Sequence, residues 1–317
     1  MRLPQRARRS ASDTRGVRMN RPRIGFIGLG KMGAPMARRL LDAQYRVAAY
    51  DVRADAMTAA ARAGAERGSS PADVAGRADI VLTMLPDGRA VEAVVYGNDG
   101  LGAAMRSGQD LIEMTSSSPR VTRRVAADLG RQGVEVLDAP VSGGVRGAVD
   151  GTLCVMAGGP AALLDRCRPI LEHFGRDIVH VGDAAGDGDT AKTINNLLSA
   201  TTVWSTAEAV ALGVKAGLSP DRLVAAVNHS TGRSYTTEVK FPRYILPREF
   251  SAGFTVAQYL KDLDICLDLA DDLGVPMLLG SLVRQAWRIA VRDGMGDADH
   301  TALIELLERW AGEHAPA

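Results

Sequence analysis

Between residues 22 and 182 the chain alternates short apolar runs with stretches whose apolar positions recur every three or four residues. Short apolar runs read as strands buried on both faces, and the spaced stretches read as helices with one packed face. Strand-like runs fall at 23–28 (RIGFIG), 46–50 (RVAAY), 80–85 (IVLTML), 110–114, 134–137, 152–157 and 178–180. Helical spacing occupies 34–44, 54–63, 90–95 and 119–132. Strand and helix in turn, with short connections, predict an α/β unit with a doubly wound parallel sheet covered on both faces. From 191 to 311 nearly every segment has helical spacing, broken at 217–220, 242–247 and 274–276. Residues 190–213 alone suffice for one long interdomain helix. The expected organisation is a disordered tail over 1–20, an α/β domain over 21–182 and an all-α domain over 183–317, with a glycine-rich hinge near 182–188 (GDAAGDG). The tail carries six arginines, one acid and no apolar period, and an over-extended start ahead of Met19 is the alternative reading.

The first strand runs into Gly28-Leu29-Gly30-Lys31-Met32-Gly33, and a helix follows. In a G-x-G-x-x-G turn the first glycine permits the bend, the second lets backbone approach a pyrophosphate, and the third allows close helix–strand packing. Asp51 ends the second strand, near the ~20-residue offset of a ribose-binding carboxylate. Strand, turn, helix and acid together predict a Rossmann-type dinucleotide site; a purely structural glycine turn is the alternative. A carboxylate at position 51 favours NAD, while Arg53 two residues on keeps NADP possible.

Composition narrows the functional classes. Lys+Arg number 38 against 37 Asp+Glu, a net charge of +1, and aromatics are 4%. A dedicated nucleic-acid binder is therefore not expected. No uninterrupted apolar run nears the ~20 residues of a membrane span, so no membrane association is expected. Cys154, Cys167 and Cys266 form no metal-ligand spacing, which predicts no metal site and fits a reducing, cytoplasmic compartment. Only five of the basic residues are lysines, which singles out each one. Lys192, Asn196 and Ser199 fall on one face of the long apolar helix by i+4 and i+3 steps. Either this is a snorkelling lysine beside capping amides, or a cleft holds the amine and lowers its pKa toward that of a general acid/base.

Four blocks resemble the β-hydroxyacid dehydrogenase family. They are 25–40 (GFIGLGKMGAPMARRL), 138–151 (DAPVSGGVRGAVDG), 186–196 (GDGDTAKTINN) and Lys261-Asp262-Leu263-Asp264-Ile265. The resemblance implies hydride transfer between NAD(P) and a short 3-hydroxy carboxylate, with Lys192 as general acid/base and Asn196 orienting the substrate. It implies further that Ser142, Gly143 and Gly144 hold the substrate carboxylate, with Asn195 close by and Phe254 walling the pocket. The 28–33 turn, Asp51, Leu85, Pro86, Ser116 and Lys261 would hold the cofactor, and Asp262 would fix its helix. Arg233, Tyr235 and Lys240, in the 230–241 stretch read as a loop, are candidates for reading the distal end of the substrate. Three positions depart from the family pattern. Glu113-Met114-Thr115-Ser116 stands for Asp-x-Ser-Thr, Ala90 for an asparagine, and Asp189 for a glutamine, where its charge would raise the Lys192 pKa. A semialdehyde reductase using NADPH and a non-catalytic nucleotide-binding protein are the competing functions. The expected partners are a small hydroxyacid or semialdehyde and further copies of the chain, as a homodimer or homotetramer.

Overall fold

The apolar runs become neighbouring strands. The computed structural model describes residues 21–312, so the expected tail over 1–20 lies outside the described residues. The first half contains β1 (Ile24–Ile27), α1 (Gly33–Asp42), β2 (Val47–Tyr50), α2 (Ala54–Arg62), β3 (Glu66–Arg67), α3 (Pro71–Arg77), β4 (Ile80–Thr83) and α4 (Gly88–Tyr96). It continues through α5 (Leu101–Ala104), β5 (Asp110–Glu113), α6 (Pro119–Gly130), β6 (Glu135–Asp138), β7 (Val141–Ser142), α7 (Gly144–Asp150), β8 (Leu153–Gly158), α8 (Ala161–Leu171) and β9 (Gly175–Gly182). Helices dominate the rest: α9 (Asp187–Lys215), α10 (Pro220–Asn228), a π-wound segment Thr236–Ile245, α11 (Val256–Leu273), α12 (Leu278–Ala290) and α13 (Leu303–Trp310).

Strands β3-β2-β1-β4-β5-β6 lie in that order and pair in parallel. The middles of the central strands are apolar because both faces are covered. Leu82 packs with Phe26, Ile112 and Leu137 on one face, while its neighbour Val81 packs with Leu111 and Val136 on the other. The sheet is not parallel throughout, as the alternation predicted. Beyond β6 comes β8, antiparallel to both β6 and β7, with β9 parallel to β8. Several elements lack a period long enough to read. Helix α3 is seven residues, made by Ser70 accepting from the Asp73 N–H and by Pro71 in the first turn.

Helix α9 is the axis of the second half. At 29 residues with a mean hydropathy of 1.3 in its most apolar window, it has the length and composition of a membrane span, which the search for uninterrupted runs did not anticipate. Its Val203, Trp204, Ala207 and Val210 instead pack with Phe241, Leu263, Trp287 and Leu303 from the surrounding segments. The 242–247 break is a second difference. Pro242 sits inside the π-wound segment, where Leu246 N–H donates to Phe241 O five residues back. The wider winding accommodates a residue that offers no N–H of its own.

Candidate active site

The sheet reverses its winding between β1 and β4, and in open α/β sheets ligands bind beyond the strand ends at such a point. A cavity of about 1340 Å3 opens there, between the strand ends and helices α9 and α11. Gly28 turns the chain with φ of 94°, and a Cβ on it would strike Met84 O at 2.2 Å. At Gly33 a Cβ would lie 1.9 Å from Gly28 O, whereas one at Gly30 would meet nothing within 4 Å. The first and third glycines are thus required by the protein's own backbone, and the second faces open space. The N–H groups of Lys31 and Met32 have no backbone partner among the described residues, and α1 begins directly after them. This turn fits a pyrophosphate.

Asp51 is fixed beside the turn, its carboxylate accepting from Leu29 N–H at 2.7 Å and Arg53 N–H at 2.8 Å. Arg53 folds back and donates to Leu29 O at 3.1 Å. Leu29 departs from its expected place. Its side chain is buried in the sheet core and does not line the cavity, so it acts by holding Asp51. Leu85, Pro86 and Ser116 line the same cavity with Lys31, and Ala90 leaves the wall without an amide there. Lys261 reaches across from α11, donating to Ser116 O at 3.1 Å and Pro86 O at 3.4 Å.

The lysine face of α9 forms the opposite wall. Lys192 is 9% exposed, and its amine makes no hydrogen bond to another described residue. Burial lowers its pKa most; Asp262 opposes, while Lys261 and Lys240 push the same way as burial. Asn196 donates to the Asp262 carboxylate and accepts from Asn195 Nδ2 at 3.1 Å, leaving its second amide hydrogen for a ligand. Asp262 therefore does more than fix its own helix: it orients Asn196 and Lys261, the latter 3.1 Å away, and faces Lys192. No spacing signal could have shown this contact, which joins positions 66 residues apart.

Ser142, Gly143 and Gly144 line the cavity where β7 ends, with Gly143 at φ 130°. Phe254 walls it, packed edge-on against Tyr259 at 4.8 Å. Tyr235 and Lys240 also face it. Arg233 does not: its side chain is 68% exposed, outside the cavity lining, with Glu238 at 4.0 Å. The expected loop is partly helical, and its winding turns Lys240 inward while leaving Arg233 outside. Asp189 is a further correction. It points back toward the sheet, accepting from Ser117 N–H at 3.2 Å and Thr122 hydroxyl at 2.6 Å. Burial raises its pKa well above the ordinary value, reinforced by Glu113 and Asp138, and it is not among the groups that shift Lys192. Among the described residues no cluster of His, Cys, Asp and Glu could hold a metal.

Residues 23–182 match the family model for the NAD binding domain of 6-phosphogluconate dehydrogenase. Residues 186–307 match that for NAD-binding of NADP-dependent 3-hydroxyisobutyrate dehydrogenase. The chain is 38% identical to 2-(hydroxymethyl)glutarate dehydrogenase of Eubacterium barkeri, over 92% of this chain and 96% of the relative. It is also 38% identical to 3-hydroxyisobutyrate dehydrogenase of Pseudomonas aeruginosa, over 88% and 95% of the two chains. A solved 3-hydroxyisobutyrate dehydrogenase of Mycobacterium tuberculosis with L-serine superposes with a TM-score of 0.84 at 35% identity, covering 90% of this chain and 99% of that one. With both halves matched and the turn, glycine pair and lysine helix lining one cavity, the chain belongs to the β-hydroxyacid dehydrogenase family of NAD(P)-dependent oxidoreductases.

Proposed function

We propose that this chain interconverts a short 3-hydroxy carboxylate and its carbonyl form, with Lys192 as the general acid/base and NAD as the preferred cofactor. One observation carries the reading: a buried amine with no hydrogen-bond partner among the described residues lines the cavity that contains the dinucleotide turn. Bound along 28–33 with its ribose at Asp51, the cofactor supplies hydride acceptance and donation. Ser142 and the N–H groups of the glycine pair hold the substrate carboxylate, and the glycines leave those donors unobstructed. Asn196 donates to the reacting oxygen and aims it at Lys192. In oxidation the neutral Lys192 amine takes the hydroxyl proton as the carbon gives up its hydride; in reduction the ammonium returns that proton to the carbonyl oxygen. Burial favours the neutral amine that oxidation needs.

Lys192→Ala is predicted to lose about 10²–10⁴-fold in turnover, the usual contribution of a positioned general acid/base, with NAD affinity retained. Near-normal turnover would remove the assignment. Self-association fits the exposed Leu273, Val275, Leu278, Leu279 and Leu282 around the α11–α12 turn, apolar surface that a second copy would cover. Light scattering is predicted to give a dimer or tetramer, and a monomer at micromolar concentration would count against it.

A further inference from the structure

Lys240 lies outside the proton-transfer machinery, yet it is the most unusual cation in the cavity wall. It is 6% exposed and donates to Ser199 Oγ at 3.0 Å and Tyr259 Oη at 2.9 Å, both neutral hydroxyls. On the α9 and α11 walls, Asp262 ion-pairs with Lys261 and attracts Lys192. Lys240 has only the more distant Asp299, whose oxygens are already engaged by the N–H groups of Gly253, Phe254 and Thr301. Burial, only partly opposed by Asp299, lowers the Lys240 pKa to about 7. Beside it, the ring of His300 lines the cavity and packs on Tyr259 at 4.8 Å. His300 Nδ1 lies 2.9 Å from Phe254 O and is its donor, and the opposite nitrogen, Nε2, is buried with no partner. This end of the cavity thus holds a buried amine whose nearby acid is engaged by other donors, a costly place for an ammonium unless an anionic ligand completes it.

We infer that Lys240 forms a second anion subsite, so that the natural substrate carries a distal carboxylate in addition to the one held at Ser142–Gly144. This rests on the proposed hydroxyacid reading and narrows it to hydroxy dicarboxylates. A carboxylate here gives the ammonium its missing partner, and Ser199 and Tyr259 keep the side chain aimed at it. A monocarboxylate leaves Lys240 buried and uncompensated, which discriminates against the smaller acid.

The test is calorimetric titration of the NAD-saturated enzyme with paired dead-end ligands, succinate against propionate and glutarate against butyrate. At least one diacid is expected to bind tighter than its monoacid by about tenfold or more, the range of one charge-assisted hydrogen bond. Lys240→Met should abolish that preference and Lys240→Arg should keep most of it, with thermal melts confirming that both variants fold. Equal binding of both members of each pair, or a preference that survives in Lys240→Met, overturns the subsite alone. Failure of every acid to bind overturns the Ser142–Gly144 cradle as well, and with it the parent reading.

Discussion

Single residues divide into those the backbone needs and those a ligand needs, and the three glycines of the first turn show the difference. Gly33→Ala would drive a Cβ into Gly28 O, and the expected cost is about 1–3 kcal/mol of stability with a lower Tm. In Gly30→Val the added Cβ meets no protein atom within 4 Å, so its Tm should stay near wild type while NAD affinity falls by an order of magnitude or more. Melting curves and cofactor titration check the pair; equal loss of stability in both variants would contradict a ligand-facing role for Gly30. At this scale the sequence was readable where the chemistry is local. The glycine spacing, Asp51 and the Lys192–Asn196 step were all legible. Lys240 was named only as one candidate in a loop, because its partners Ser199 and Tyr259 lie 41 and 19 residues away. Arg233 was misplaced for the same reason: a loop carries no period that says which side chains turn inward.

Elements show where periodicity succeeds and where it stops. Strands β1, β4 and β5 were legible because burial on both faces makes their central positions apolar. The two-residue strands β3 and β7 and the seven-residue helices α3 and α7 are too short for a period to show. Proline read as a break at 242 proved to sit within helical winding. Helix α11 has a consequence for catalysis, since adjacent residues on it act on Lys192 with opposite sign: Lys261 lowers its pKa and Asp262 raises it. With Lys192 as the proposed base, oxidation uses the neutral amine, so kcat/KM should rise with pH until Lys192 is deprotonated. Lys261→Met should move that rise to higher pH and Asp262→Asn to lower pH. Steady-state pH profiles of both variants check this, and shifts of the same sign would contradict it.

The two halves of the whole molecule meet over buried carboxyls. Glu113 at the end of β5, Asp138 at the end of β6 and Asp189 in the first turn of α9 lie together, with Asp189 N–H donating to Asp138 at 2.8 Å. Burial raises Glu113 to about 8 and Asp138 to about 6. Because folding raises these values, their stabilisation is complete below the unfolded carboxyl range near pH 4 and is lost as pH climbs through 6 and 8. Lys240 and His300, whose pKa values are lowered, act in the opposite sense, so the wild-type curve alone mixes both effects. Glu113→Gln keeps an oxygen for the Thr115 N–H at 2.8 Å and removes the charge. Its Tm relative to wild type should therefore rise between pH 5 and 8, by about 2–4 °C per kcal/mol. A constant difference would show that Glu113 is not buried as a neutral acid. None of this junction was legible in the sequence, where Asp189 looked like a charge beside Lys192.

The proton-transfer role of Lys192 is tested most directly by single-turnover hydride transfer, followed at the nicotinamide absorbance, in Lys192→Ala with saturating NAD and a turned-over hydroxyacid. The chemical step should slow by about 10²–10⁴-fold and recover in part when a small primary amine is added to fill the vacated space. A transfer rate equal to wild type, or a slow step indifferent to added amine, would show that the proton leaves by another route.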